Sequence, residues 1–421
     1  MIEGDTRPIA SKPELFDLLG GEKEIGDSRC LVTGEIGKTA RTTTATMIPG
    51  SKATAKIVSF QKGAGYDSYG KSQGENAPIS KEAEFAYSTA LKKMLKKGSR
   101  NKFSIGNRTF VFWASSNNEA AQAAEESLFA LMGWDDRDNP NRGLDYVREV
   151  FRSIYNGKTP PNGDDRFYIL GLAPNAARIA VVYWAECPLK EFAGLVLRHF
   201  SDMEMMCVPD DGQSYVGLRS MLDAVTRGGK GSEAAPNLPE AVARSIFQGL
   251  PYPASLFGAC LRRIRAERPI RVEQYVHRVR AAIIKAYLNR LNDNENKKIE
   301  TMLDKENTNQ GYLCGRLFAV LDKMQEDANR NHTVRERYMN SASSTPTSVF
   351  ATLLNLSTHH AEKLSAGQQV YYEKLKQEIM SKLPVEGFPA HLDLQDQGRF
   401  FVGYYHQRQD LFTKKEDKGQ E

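Results

Sequence analysis

At a breaker-rich segment, Arg227 to Pro239, the apolar pattern of this chain changes period, and that switch limits its possible folds more than any other feature. Downstream, Val276, Val279, Ile283, Tyr287 and Leu291 recur at steps of three and four. So do Leu313, Leu317, Leu321 and Met324, then Tyr372, Leu375, Ile379 and Leu383. Such steps put one apolar stripe along a helix of 3.6 residues per turn. Residues 231 to 421 are therefore expected to form an all-helical bundle, with loops near Asn292–Asn296, Asn329–Thr333, Ser341–Thr347 and Pro384–Pro389. Upstream, residues 1 to 230 read as a mixed domain in which short β-branched and aromatic runs alternate with helical stretches. Strands are expected at Cys30–Thr33, Lys56–Phe60, Thr109–Trp113, Tyr168–Ala173 and Arg178–Trp184, the last two joined as a hairpin through Pro174-Asn175-Ala176. Helical period appears over Lys81–Lys97 and Leu189–His199. The fold class is thus α+β.

A chain of 421 residues with 40% hydrophobic and 26% charged residues has enough sequence to bury two or three cores without staples. Its five scattered cysteines match buried reduced thiols, which fits a cytoplasmic protein. No apolar run approaches the roughly 18 residues of a membrane span, and no secretory leader pattern opens the chain, so no membrane partner is expected.

A search for chemistry returns little. Thr33 to Thr39 ends in the Gly-Lys-Thr of a phosphate-binding loop, but Val32 stands where that loop needs its first glycine, so a polar turn is expected instead. No cysteine or histidine pair has metal-ligand spacing, and His359 and His360 project about 100° apart on a helix. No metal or cofactor is expected. His391 and His406 lie in aromatic, glycine-containing sequence with no visible partner for general-base work. Paired carboxylates such as Asp164-Asp165 fall in polar turns, where capping explains them.

Charge clustering is more informative. The net charge is only +5, yet between Arg262 and Arg290 eight arginines and Lys285 oppose only Glu267 and Glu273. Arg271, Arg278 and Lys285, spaced by seven, align on one helical face; with Arg262, Arg263 and Arg290 they form a candidate row for tracking phosphates. A second group, Lys38, Arg41, Lys52, Lys56, Lys62 and Lys71, opposes only Asp67 and is interleaved with Phe60, Tyr66 and Tyr69. Aromatics beside cations can stack on unpaired bases. Thr89 to Lys102 adds a third stretch, six cations against no acid, read either as a further nucleic-acid contact or as the solvated outer face of an amphipathic helix bearing Lys92, Lys93, Lys96 and Lys97.

Six strings occur in a recognisable order: Cys30 to Glu35, Gly74 to Pro78 with Phe85 to Tyr87, Val111 to Trp113, Gly171 to Arg178, Gly311 to Phe318, and Phe388 to Arg408. Together, over about residues 28 to 410, they resemble the type I-C CRISPR large-subunit family. The resemblance implies a non-catalytic subunit of an RNA-guided surveillance complex in antiviral defence. It would contact CRISPR backbone subunits carrying the guide RNA, bind target DNA including the displaced strand, stabilise the R-loop and receive the helicase-nuclease. It also implies that 302 to 421 resembles the family's small subunits, and that the family's further N-terminal domain is missing here. Two rival readings remain at this point: a metal-free nuclease or RNA-processing enzyme built on His391 or His406 with Tyr404 or Tyr405, and a purely structural interaction protein.

Overall fold

The structure is a computed structural model that describes residues 26 to 413, apart from 64, 66, 68, 106, 133–143, 207–215, 268–273, 292–297 and 330–332. The fold is α+β, with a helical C-terminal part and small sheets. Two compact units form: residues 1–99 with the hairpin tip Leu172–Val181, and Arg100–Gly171 with Val182–Glu421.

In the first unit, β1 (Ser28–Arg29) pairs antiparallel with β2 (Ile36–Gly37). The segment between them is a tight turn, with Gly34 N donating to Cys30 O at 2.9 Å and Cys30 N to Glu35 O at 2.8 Å. The strand expected at Cys30–Thr33 is therefore a turn, because its β-branched residues meet no neighbouring strand. Lys56–Phe60 likewise makes only a single parallel bridge, Lys56 to Arg178. Helix α1 (Lys81–Leu95) starts where Ser80 accepts from Ala83 N, closing one of the four unpaired donors of a helix start. Cys30, Ile79 and Ala83 form its small core, with Val58 and Tyr87 against it.

The second unit holds the larger core. Strands β3 (Lys102–Ile105), β4 (Arg108–Ala114), β5 (Arg166–Asn175) and β6 (Arg178–Pro188) make a sheet in that order; β4, β5 and β6 fall at the last three expected strands, with β5 and β6 as the expected neighbouring pair, whereas β3 was not among them. Helices α2 (Glu119–Leu131), α3 (Leu144–Tyr155) and α4 (Leu189–Met203) belong to the same unit. Phe112, Phe167 and Phe192 join sheet and helices in one buried aromatic stack, with Phe167 and Phe192 centroids 4.2 Å apart, and Phe110 stacks on Phe103 in the same core.

Helices α5 (Leu218–Val225), α6 (Leu238–Phe247), α7 (Ala254–Ala266) and α8 (Gln274–Leu291) follow. Then come α9 (Gln310–Asn329), α10 (Thr333–Ala342), α11 (Pro346–Ala361), α12 (Ala366–Met380) and α13 (Leu394–Phe412). The breaker segment 227–239 does not separate compact units: Leu222 and Val225 before it share one core with Leu238 and Val242 after it. It folds as two short turns, Gly231 N donating to Asp223 Oδ1 at 2.7 Å. Among the described residues, no helix is long and apolar enough to cross a membrane.

The tightest packing in the bundle lies between α9 and α13. A Cβ on Gly315 would stand 2.0 Å from Phe400 O, and one on Gly403 2.3 Å from Tyr312 O. Two strings that carried the family resemblance are thus the places where two helix backbones touch.

Candidate nucleic-acid interface

The two main cationic groups meet different fates. In the first unit two of the six cations, Arg41 and Lys56, line a cleft of about 240 Å³ together with Thr42, Thr43, Phe60, Gln73 and Gly74 among others. Its walls are coil held by backbone bonds. Ala40 N donates to Ile79 O at 2.8 Å, Thr46 N to Ala55 O at 2.9 Å and Gly74 N to Arg41 O at 3.1 Å. Gly74 is required there, since a Cβ would stand 2.2 Å from Ala40 O. Asp67 gathers Gln73 N at 3.1 Å, Asn76 Nδ2 at 3.2 Å and Gly63 N at 3.2 Å. The Gln73 bond is the main reason its carboxyl is held below the usual range, so the one acid of this stretch is spent on loop structure.

Of the expected contacts, Arg41 is exposed, and its Nε donates to Gln73 Oε1 at 2.9 Å, which aims the guanidinium. Lys56 lines the cleft half-buried. Lys52, Lys62 and Lys71 are exposed, each two residues from a lining residue: Thr54, Phe60 and Gln73. Lys38 differs, because its Nζ lies 3.0 Å from Asp27 Oδ2. Lys38 first, then Thr39, hold Asp27 far below the usual carboxylate range. Thr39 gives Asp27 two further bonds, from N at 3.0 Å and Oγ1 at 2.9 Å. Of the interleaved aromatics, Phe60 lines the cleft, Tyr69 is fully exposed, and Tyr66 lies outside the described residues. Charge counting missed the hydroxyl and amide donors Thr42, Thr54, Ser59 and Gln73; Thr43 also lines the cleft, but its hydroxyl donates to Val58 O. Their signal was the threonine run 42–44, which also suits phosphate and sugar contacts.

In the second unit the expected row on α8 is a correction. Arg278, Lys285 and Arg290 are 2%, 3% and 7% exposed, because α4, α5, α7 and α13 cover that helix. Arg290 Nε donates to Asp202 Oδ2 at 2.7 Å, and Nη1 to Leu250 O at 2.6 Å and to Ser245 O. Its guanidinium also lies 4.4 Å from the Tyr252 ring centroid. Lys285 Nζ reaches Ser201 O at 3.4 Å, and burial pushes its pKa down. Buried to this degree, these three cations do not present their charge to a polyanion. Arg263 pairs with Glu267 at 2.7 Å, leaving Arg262 exposed; Arg271 lies outside the described residues.

The histidines and tyrosines of the enzyme reading are divided. His391 is exposed, while His406 is buried, with Nδ1 2.9 Å from Tyr312 Oη and Nε2 3.1 Å from Met205 Sδ. Tyr404 donates to Asp322 Oδ2 at 2.9 Å and Tyr405 to Met206 O at 2.8 Å. Among the described residues, no three acidic, histidine or cysteine side chains converge as a metal site. Asp165 accepts from Asn162 N at 2.7 Å and from Asn118, as a loop cap.

A cleft of this size is smaller than the roughly 300–1,000 Å³ of small-molecule pockets. With two cations, hydroxyl and amide side chains and an apolar floor, it suits one stretch of a polymer backbone. Against known proteins, the family model described as CRISPR-associated protein (Cas_Csd1) matches residues 2–412. No curated protein matches the chain.

Proposed function

The chain belongs to the CRISPR-associated Cas_Csd1 family, and from that premise we propose that it is a non-catalytic large subunit of a type I-C CRISPR interference complex. In this role it binds target DNA, stabilises the R-loop with its displaced strand, and helps recruit the helicase-nuclease, beside backbone subunits that carry the guide RNA. Sequence is read by the guide; the protein supplies shape and backbone contacts. The observation that carries this reading is the first unit's cleft, which Arg41 and Lys56 line, while Lys52, Lys62 and Lys71 are exposed two residues from lining positions and Lys38 pairs with Asp27. Such a surface requires no active site and no cofactor.

The test is salt dependence. Each phosphate neutralised contributes about 0.7 to 0.9 to the slope of log affinity against log salt, least for single strands. The triple variant Arg41→Glu, Lys52→Glu, Lys62→Glu is expected to lower that slope by about two and to weaken all sequences alike, since backbone contacts position without reading. Anisotropy titrations from 50 to 300 mM salt measure it on a DNA duplex carrying a bubble. A folded triple variant with an unchanged slope would remove the cleft from the interface. Arg290→Glu, by contrast, is expected to unfold the second unit, because it opposes Asp202 with a second negative charge.

A further inference from the structure

The sheet of the second unit has two unlike faces. Phe112, Phe167 and Tyr183 point into the core. Successive strand residues alternate sides, so Trp113 on β4, Tyr168 on β5 and Trp184 on β6 all stand on the opposite face. There they form one cluster. Trp113 and Tyr168 stack with centroids 5.2 Å apart at 14°, and Trp184 lies 5.9 Å from each. Trp184 is 47% exposed, and the other two are half-buried. Three large rings meeting solvent together on adjacent strands mark a contact surface.

The surroundings indicate what it contacts. Arg166 stands two residues before Tyr168, hence on the same face, with Nε 2.7 Å from Glu186 Oε1 on β6. Lys102 pairs in register with Val111, two residues before Trp113, so it too lies on this face. Arg166 and Lys102 against Glu186 leave one positive charge in excess here, and beside exposed π faces it complements a polyanion that presents flat bases. We propose that Trp113, Tyr168 and Trp184 are a stacking platform for unpaired bases of single-stranded nucleic acid. This rests on the nucleic-acid role proposed above and assigns it a second subsite, one that holds bases where the cleft holds backbone. Because every base has a π face, the platform is sequence-tolerant.

The chain has three tryptophans, Trp113, Trp134 and Trp184. In the full-length Trp134→Phe protein the platform pair supplies all tryptophan emission. Titration with a 20-mer oligothymidylate is expected to quench that emission, whereas an abasic 20-mer of the same backbone binds without quenching. Trp184→Ala should weaken oligothymidylate binding about tenfold, leave abasic binding and the salt slope unchanged, and be largely rescued by Trp184→Phe. Melting curves for each variant establish that the fold is kept. Oligothymidylate that binds without quenching, and equally well to Trp184→Ala, would overturn the platform while leaving the cleft intact. Loss of copurifying protein subunits with unchanged oligonucleotide affinity would also overturn it, making the face a protein dock. A full-length chain that binds no nucleic acid at all would overturn both this subsite and the function proposed above.

Discussion

Replacing Gly315 or Gly403 by alanine is expected to destabilise the helical bundle by about 3 kcal/mol or more, although alanine is the better helix former. Alanine gains only about 1 kcal/mol in helix propensity. Against that, the new Cβ would meet backbone carbonyls, 2.0 Å from Phe400 O at position 315 and 2.3 Å from Tyr312 O at position 403. A backbone oxygen inside a helix cannot rotate away as a side chain can, so α9 and α13 must move apart. Overpacking of this kind typically costs about 1–3 kcal/mol and sometimes more, and two facing helix backbones put these sites at the upper end. Gly367, near the start of α12 with open space around it, supplies the control. Gly367→Ala should be neutral or slightly stabilising. Urea midpoints for the three variants decide the matter; if Gly315→Ala matched Gly367→Ala, the backbone contact would not limit the packing.

Acid should unfold the second unit over a window set by two histidines. His199 is fully buried, its Nε2 donating to Val216 O at 2.8 Å while Nδ1 accepts from Tyr252 Oη at 2.9 Å. Burial pushes its pKa down to about 4. Burial first, then the nearby Lys285, pushes that of His406 to about 3. The unfolded chain binds these protons near pH 6.5, so between 6.5 and about 4 it holds more protons than the folded chain. Stability from these groups is therefore complete above pH 6.5 and drains away as pH falls. Each histidine contributes a slope of about 1.4 kcal/mol per pH unit. Between pH 6.5 and 4.5 the pair removes about 5 kcal/mol, the scale of a whole domain's stability. Urea midpoints at pH 7.5, 6.5, 5.5 and 4.5 test this, with His406→Asn expected to halve the slope. A variant slope equal to the parent's would exclude His406 from the acid transition.

The two predictions share a cause, since each side chain or glycine matters through what tertiary packing sets against it. That also accounts for what was legible beforehand. The apolar stripes at 276–291 and 313–324 and the β-branched and aromatic runs of β4, β5 and β6 are local patterns, which a sequence displays directly. The cluster from Lys38 to Lys71 was legible because it lies in glycine- and threonine-rich coil, where little neighbouring chain covers a side chain.

The burial of Arg278, Lys285 and Arg290 was not legible. By periodicity alone a cationic stripe is an outer face; here α8 is surrounded, and Asp202, 88 positions before Arg290, supplies the charge that makes burial tolerable. The same limit hid the aromatic platform, whose three rings lie 16 to 71 positions apart and meet only because β4, β5 and β6 are neighbours in one sheet. The family-like strings around Gly315 and Gly403 were visible, but their reason was not: a glycine's value there is the distance to another backbone. Sequence by itself determined the helical and strand periods, the α+β class and the open cationic coil, because each is a local property. Only tertiary structure decided which charges reach solvent and which rings share a face, because both depend on neighbours that are distant along the chain.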